Sequence, residues 1–190
     1  TPLYPPFTRS IKLNNRKVVT SPLTLSEEDG RFTLDFEQLE QAIIDNDVKL
    51  YAFCSPHNPG GRVWTKAELV RVAELCRKHQ VILVSDEIHQ DLTLFGHQHH
   101  SINTVGDYRD FTVILSSATK TFNIAGTKNA FAIIENPILK KQFRNRQLAN
   151  NQHEISTLGL IATETALTYG QPWLQELKQV LEENINYLIE

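Results

Sequence analysis

The sequence is poor in the features that would place it in several protein classes. It has only two cysteines, Cys54 and Cys76, and no methionine in 190 residues. Two cysteines are too few for a disulfide scaffold, so we interpret both as reduced, buried thiols, with a disulfide or a metal pair as the alternative. No apolar run approaches the ~20 residues that a membrane-spanning helix requires. No signal-peptide pattern opens the chain, and together these absences favour a cytoplasmic protein that does not span a membrane.

An excess of positive charge is also missing. Nineteen Lys and Arg face twenty-two Asp and Glu, for a formal net charge of −3, and no basic stripe is present. Proteins that bind nucleic acid usually carry such a stripe, so we expect no nucleic-acid partner. Hydrophobic residues make up 41% of the chain and charged residues 22%, which is the balance of a globular domain with one sizeable core.

What the sequence does contain is an alternation of strand and helix patterns. Short apolar runs without polar alternation predict buried strands, and a period near 3.6 predicts helices. Thr65 followed by Glu68 has the pattern of a capping box at a helix start. We predict strands over residues 17–25, 49–54, 81–85, 111–115 and 129–134, and helices over 35–44, 65–79, 138–150, 156–169 and from 173 onward. This order predicts an α/β fold with a three-layer arrangement and a mostly parallel sheet.

Three of the predicted strands are followed by polar residues of different chemistry. Asn58 follows the strand at 49–54, Asp86 the strand at 81–85, and Lys120 the strand at 111–115. In open α/β sheets, ligands bind in the crevice at the carboxyl ends of the strands. An amide, an acid and an amine at that edge are the groups that a pyridoxal 5′-phosphate (PLP) site needs.

Lys120 and Asp86 are the predicted catalytic residues. The amine of Lys120 is suited to holding the cofactor aldehyde as a Schiff base, although a lone lysine is more often a solvated surface residue. A carboxylate beside the pyridine nitrogen keeps that nitrogen protonated. Glu87 is the other acid available, but in a strand its side chain points to the opposite face, so we choose Asp86.

Five further residues are predicted to contact the cofactor, each with an ordinary structural alternative. Asn58 lies between two prolines in a stiff turn, and its amide is placed to bond the phenolic oxygen. Ser117 can reach the phosphate, and Lys128 can add positive charge there. Tyr4 can stack on one face of the ring and Ile88 on the other, although both residue types are also common in cores.

The histidines raise the question of a metal site. Three of them, His97, His99 and His100, lie close together in the sequence, and histidine is a frequent metal ligand. We interpret this segment as an exposed loop and expect no metal.

The motifs around these residues resemble the class I/II aminotransferases, a superfamily of fold-type I PLP enzymes, and the spacing of Asn58, Asp86 and Lys120 agrees with it. Several segments resemble the MalY/PatB-type cystathionine β-lyases, or C–S lyases. They are Thr-Pro-Leu-Tyr at 1–4, Cys-Ser-Pro-His-Asn-Pro-Gly-Gly-Arg-Val-Trp at 54–64, Ser-Asp-Glu-Ile-His-Gln-Asp at 85–91, Ser-Ala-Thr-Lys-Thr-Phe-Asn-Ile at 117–124 and Phe-Ala-Ile-Ile-Glu-Asn at 131–136.

The resemblance implies the same roles for Lys120, Asp86 and Asn58, and it has two departures. Where many relatives have tyrosine three residues after the aspartate, this chain has His89, which is normal for the lyase-like branch. Where many have arginine eight residues after the lysine, it has Lys128, which cannot make a bidentate contact. His89 therefore joins the predicted cofactor-binding residues.

The resemblance also concerns the extent of the chain. It implies that residues 1–190 are the central part of a PLP-binding large domain. An N-terminal segment with a phosphate loop, and a C-terminal small domain with a carboxylate-binding arginine, would then be missing. We therefore expect this chain alone to be nearly inactive, and the full-length enzyme to be a homodimer.

The expected activity is that of a PLP-dependent C–S β-lyase on cystathionine or a related cysteine conjugate, giving pyruvate, ammonia and a thiol. An aminotransferase that uses a 2-oxo acid acceptor is the first alternative. The second alternative is the PLP-binding effector domain of a transcriptional regulator, which the net charge of −3 does not support.

Overall fold

A computed structural model describes residues 1–189 of the chain and gives the bounds of its elements. In chain order they are α1 (Pro5–Leu13), β1 (Leu23–Leu25), β2 (Phe32–Leu34), α2 (Phe36–Asp45), β3 (Leu50–Cys54), α3 (Lys66–Lys78), β4 (Ile82–Asp86), β5 (Thr112–Ser116), α4 (Ala118–Thr121), β6 (Phe131–Ile133), α5 (Pro137–Ala149), α6 (Thr157–Tyr169) and α7 (Gln171–Ile189). None of these helices is both long and apolar enough to cross a membrane, as far as residues 1–189 show.

Four strands form the main sheet, in the order β3-β4-β5-β6. The first three are parallel, and β6 runs antiparallel to β5. Cys54 at the end of β3 pairs with Asp86 at the end of β4, and Asp86 pairs with Leu115 near the end of β5. The carboxyl ends of all three parallel strands therefore lie at one edge, which confirms the predicted mixed α/β fold with a mostly parallel sheet.

The core lies between this sheet and helices α2 and α3. Helix α3 begins with the predicted capping box, in which Thr65 accepts from the backbone of Glu68 and Glu68 accepts from the backbone of Thr65. Its buried face packs into one cluster with residues from the strands and from α2. The cluster includes Leu39, Ile43, Phe53, Trp64, Leu69, Val72, Ala73, Cys76, Val81, Leu83 and Ile114. This burial orders the three parallel strands on which the site depends.

Both cysteines are free and buried, as predicted. Burial raises the pKa of the Cys76 thiol to about 12, and it also raises the pKa of the Cys54 thiol. Neither thiol is therefore ionised near neutral pH, and Cys54 is available as a hydrogen-bonding group close to the sheet edge.

The structure adds one helix that was not predicted and corrects two predictions. Residues 5–13, which carried no helix prediction, form α1, because Pro5 and Pro6 at a helix start have the backbone angle that a first turn needs. Of the strand predicted over 17–25, only Leu23–Leu25 forms, paired with the unpredicted β2. Helix α7 begins at Gln171 rather than Trp173, since proline is tolerated in the first turn of a helix.

Candidate active site

The site is built where the loops after β3, β4 and β5 leave the sheet. The Ser55 N–H donates to the Asp86 carbonyl at 2.9 Å, and the Glu87 N–H donates to the Leu115 carbonyl at 2.8 Å. These two bonds continue the ladder by one step past the strands. They hold the starts of the three loops that carry Asn58, Asp86 and Lys120 next to one another.

Asp86 is half-buried and incompletely paired. Its Oδ1 accepts the Ile88 N–H at 3.2 Å, and within residues 1–189 no side chain donates to it. Burial raises the pKa of the Asp86 carboxyl, which the Ile88 N–H and the charge of His89 lower in part and the charge of Glu87 raises further. A carboxylate in this state is stabilised by any cation brought beside it.

His89 connects Asp86 with Lys120 electrostatically. Burial lowers the pKa of the half-buried His89 imidazole, the carboxylate of Asp86 raises it, and the ammonium of Lys120 lowers it. The backbone places all three residues on the two loops that leave the carboxyl ends of the neighbouring parallel strands β4 and β5. We call Asp86, His89 and Lys120 the strand-end cluster.

Lys120 lies in the single turn α4, directly after β5. Its side chain is exposed, and in the described part of the chain it makes no hydrogen bond or ion pair. Ile88 is half-buried in the turn that follows Asp86, which places it beside the cluster along the backbone. The free amine thus faces no competing acid among the contacts of residues 1–189.

Asn58 lies in a turn that the structure braces from several sides. The Asn58 N–H donates to Cys54 Sγ at 3.4 Å, and the Cys54 thiol donates to the Pro56 carbonyl at 3.2 Å. The Trp64 indole donates to the Cys54 carbonyl at 2.9 Å. The Asn58 side chain itself makes no hydrogen bond within the described residues, so its amide is available to a ligand.

Ser117 is buried and its hydroxyl is already used. It donates to the Asn129 carbonyl at 2.5 Å and accepts the Thr119 N–H at 3.0 Å, so it begins α4. A contact with a phosphate would have to replace or share these bonds, and the phosphate role stays a prediction. Lys128 is exposed, with a left-handed backbone at φ 50° that is uncommon for a residue with a side chain.

Tyr4 is 43% exposed and packs edge-to-face on Phe7, with ring centroids 5.9 Å apart. Its segment lies beside the turn that carries Asn58. Burial lowers the pKa of His57, and the positive N-terminus lowers it further, while the backbone of Pro2 raises it. Residues 1–4 are thus held near the sheet edge, although the structure shows no contact between Tyr4 and the strand-end cluster.

The interpretation of the histidine segment as wholly exposed was wrong for His99. Its side chain is only 10% exposed, and its Nε2 lies 3.2 Å from Glu87 Oε2. Glu87 is buried and also accepts from the Ser85 hydroxyl at 2.9 Å and the Ile102 N–H at 3.1 Å. These bonds occupy Glu87 on the far side of the strand from Asp86. No three His, Cys, Asp or Glu side chains in residues 1–189 are grouped so as to hold a metal ion.

Comparison with known proteins identifies the class to which this fold and site belong. All of residues 1–190 match the family described as aminotransferase class I and II, so the chain belongs to that family.

Similar proteins include lyases and a protein described as a putative aminotransferase. The chain is 38% identical over 186 residues to cystathionine beta-lyase PatB of Bacillus subtilis (strain 168), covering 97% of this chain and 48% of the relative. It is similar to the PLP-bound C–S lyase of Staphylococcus hominis, with TM-score 0.93 and 33% identity, covering 100% of this chain and 47% of the lyase. It is also similar to a PLP-bound putative aminotransferase from Clostridium difficile 630, with TM-score 0.95 and 36% identity, covering 99% of this chain and 48% of the other. The chain thus spans about half the length of the relatives that it matches.

Proposed function

We propose that this chain is the central part of the large domain of a PLP-dependent C–S β-lyase. The observation that carries the proposal is the strand-end cluster, in which the amine of Lys120, without a partner among residues 1–189, and the half-buried carboxylate of Asp86 follow neighbouring parallel strands. Membership of the family and the similarity to two PLP-bound structures support it.

The residues present fit PLP chemically. Within residues 1–189, the half-buried Asp86 carboxylate accepts only the Ile88 N–H and has no ion-pair partner, which suits a protonated ring nitrogen. The Asn58 amide has no partner among the described residues and suits the phenolic oxygen. Lys120 would hold the aldehyde, Ser117 and Lys128 the phosphate, and Tyr4, Ile88 and His89 would border the ring.

When bound, PLP supplies an aldehyde that captures the substrate amine and a ring that accepts electron density from the substrate. The chain supplies the proton transfers and the charge around it. With PLP and substrate bound, the free amine of Lys120 would remove the proton from the substrate α-carbon as general base. Asp86 would stabilise the positive charge at the ring nitrogen, and burial of Asp86 would strengthen that interaction.

The proposed overall reaction takes a β-thio amino acid and water to pyruvate, ammonia and a thiol. His89 favours this reaction over transamination, because it stands where many aminotransferases have tyrosine, and the similarity to PatB supports the same branch. The similarity to a putative aminotransferase keeps transamination as the second candidate. Nothing in residues 1–189 favours the effector domain of a transcriptional regulator.

We expect full-length protein containing this chain to release pyruvate, ammonia and thiol from L-cystathionine without any added 2-oxo acid. The physical reason is that β-elimination releases the amino group as ammonia, so that no 2-oxo acid is needed to accept it. Pyruvate is measured by a coupled assay, with and without 2-oxoglutarate. Product that forms only when a 2-oxo acid is present would favour the aminotransferase.

The substrate, the assembly and the location are part of the same proposal. We propose a small amino-acid substrate, because the chain is similar to a cystathionine beta-lyase and the amine of Lys120 has no partner among residues 1–189. We propose a homodimer in the full-length enzyme, and the exposed apolar residues of α6, such as Leu158, Leu160 and Ile161, support a covering partner or segment. The free, buried thiols support a reducing compartment such as the cytoplasm.

A further inference from the structure

Beyond the strand ends, the loops that carry Asp86 and Lys120 are joined by a side-chain hydrogen bond. The Thr121 hydroxyl donates to Asp91 Oδ2 at 2.9 Å, across a separation of 30 residues in the chain. Thr121 is completely buried, and Asp91 is half-buried. Thr121 follows Lys120 directly, and Asp91 ends the turn that begins after Asp86.

The backbone alone does not hold these loops together. The last ladder bond between them is the one from the Glu87 N–H to the Leu115 carbonyl, and residues 88–92 and 117–122 share no backbone hydrogen bond in the described structure. The segment that carries Lys120 is a four-residue helix, and a single helical turn has little stability of its own. Its position therefore depends on side-chain contacts with its neighbours.

We propose that Asp91 and Thr121 are positioning residues that set the Lys120 amine relative to Asp86. The inference rests on the proposed function and deepens it, because neither residue touches the reacting atoms. A carboxylate acceptor makes the bond to the hydroxyl shorter and stronger than a neutral pair would. Since general-base catalysis is sensitive to displacements of about 1 Å, loosening this bond slows the proton transfer more than it weakens substrate binding.

The test removes each partner in full-length protein loaded with PLP. Thr121→Val keeps the shape of the side chain and removes the donor, and Asp91→Ala removes the acceptor. We expect each to lower kcat by roughly 10- to 100-fold with KM changed less than about threefold. Thr121→Ser and Asp91→Asn keep a donor and an acceptor, and each should recover most of the lost rate.

A second readout does not depend on turnover. In both disruptive variants, the visible absorbance band of the Lys120–cofactor linkage should shift its pH midpoint relative to wild type. The double variant should have a kcat no lower than that of the poorer single variant, because the effects of removing the two partners of one hydrogen bond do not add. Thr104→Val, which removes an exposed hydroxyl that donates to the Ser101 carbonyl at 2.7 Å, is the control and should change neither readout.

The outcomes separate this inference from the proposed function. Wild-type protein that binds no PLP would overturn both. Wild-type protein that binds PLP, together with disruptive variants that lose folding stability but keep kcat and the absorbance midpoint, would overturn the positioning role alone. Losses that add independently in the double variant would also overturn it. If Thr121→Val does not fold, the positioning role is tested by comparing Asp91→Ala with Asp91→Asn, in kcat and in the pH midpoint of the absorbance band.

Discussion

Full-length enzyme with Lys120→Ala is expected to lose turnover almost completely, by about 10³-fold or more, because a general base and a covalent anchor are removed together. We expect no neighbouring amine to replace it. Lys120 is the lysine of the strand-end cluster, whereas Lys128 has a left-handed backbone and ends the short helical turn Ala125–Thr127. The measurement is steady-state kinetics on a β-thio amino acid, with PLP content determined on the same samples.

The control for this change is Lys140→Ala, which removes an exposed lysine on α5 and should leave kcat and PLP content unchanged. Lys120→Ala enzyme that keeps more than about a tenth of the wild-type rate would contradict a general base that contributes 10²- to 10⁴-fold.

Asp86→Asn is expected to keep bound PLP and to lower turnover by about 10²- to 10³-fold, the usual effect of removing one electrostatic stabiliser from a dry site. The asparagine has nearly the same shape, so Oδ1 still accepts the Ile88 N–H and the loop keeps its path. What is lost is the negative charge that holds a proton on the ring nitrogen. Burial raises the pKa of Asp86 in the free site, and a bound cation would reverse that shift.

Asp110→Asn is the matched control, because Asp110 is an exposed acid outside the cluster. It should leave turnover unchanged. Near-full activity of Asp86→Asn with wild-type PLP content would show that Asp86 does not stabilise the ring charge.

The main elements of the fold were accessible from the sequence because their signals are local. Apolar runs of the length of Leu50–Cys54 and Ile82–Asp86 predict buried strands, and polar residues directly after them are brought together by the parallel register. The candidate residues Asn58, Asp86 and Lys120 followed from that rule and from motif resemblance. Their roles remain predictions.

What could not be predicted depends on contacts between distant segments. The pairing of His99 with Glu87 requires a loop to fold back onto the far face of β4, and no periodicity encodes that path. The bond between Thr121 and Asp91 joins two loops whose relative position is set only after the sheet has formed. Helix α1 was missed for a different reason, since paired prolines are compatible with both a turn and a helix start.

The central claim is that Lys120 holds PLP at the edge of the sheet, and borohydride reduction tests it most directly. Full-length holoenzyme is reduced to fix the cofactor covalently, digested, and mapped by mass spectrometry. We predict a pyridoxyl label on the peptide that contains Ser117 to Ile124, at Lys120. A label on Lys128 or Lys66, with none on Lys120, would contradict it.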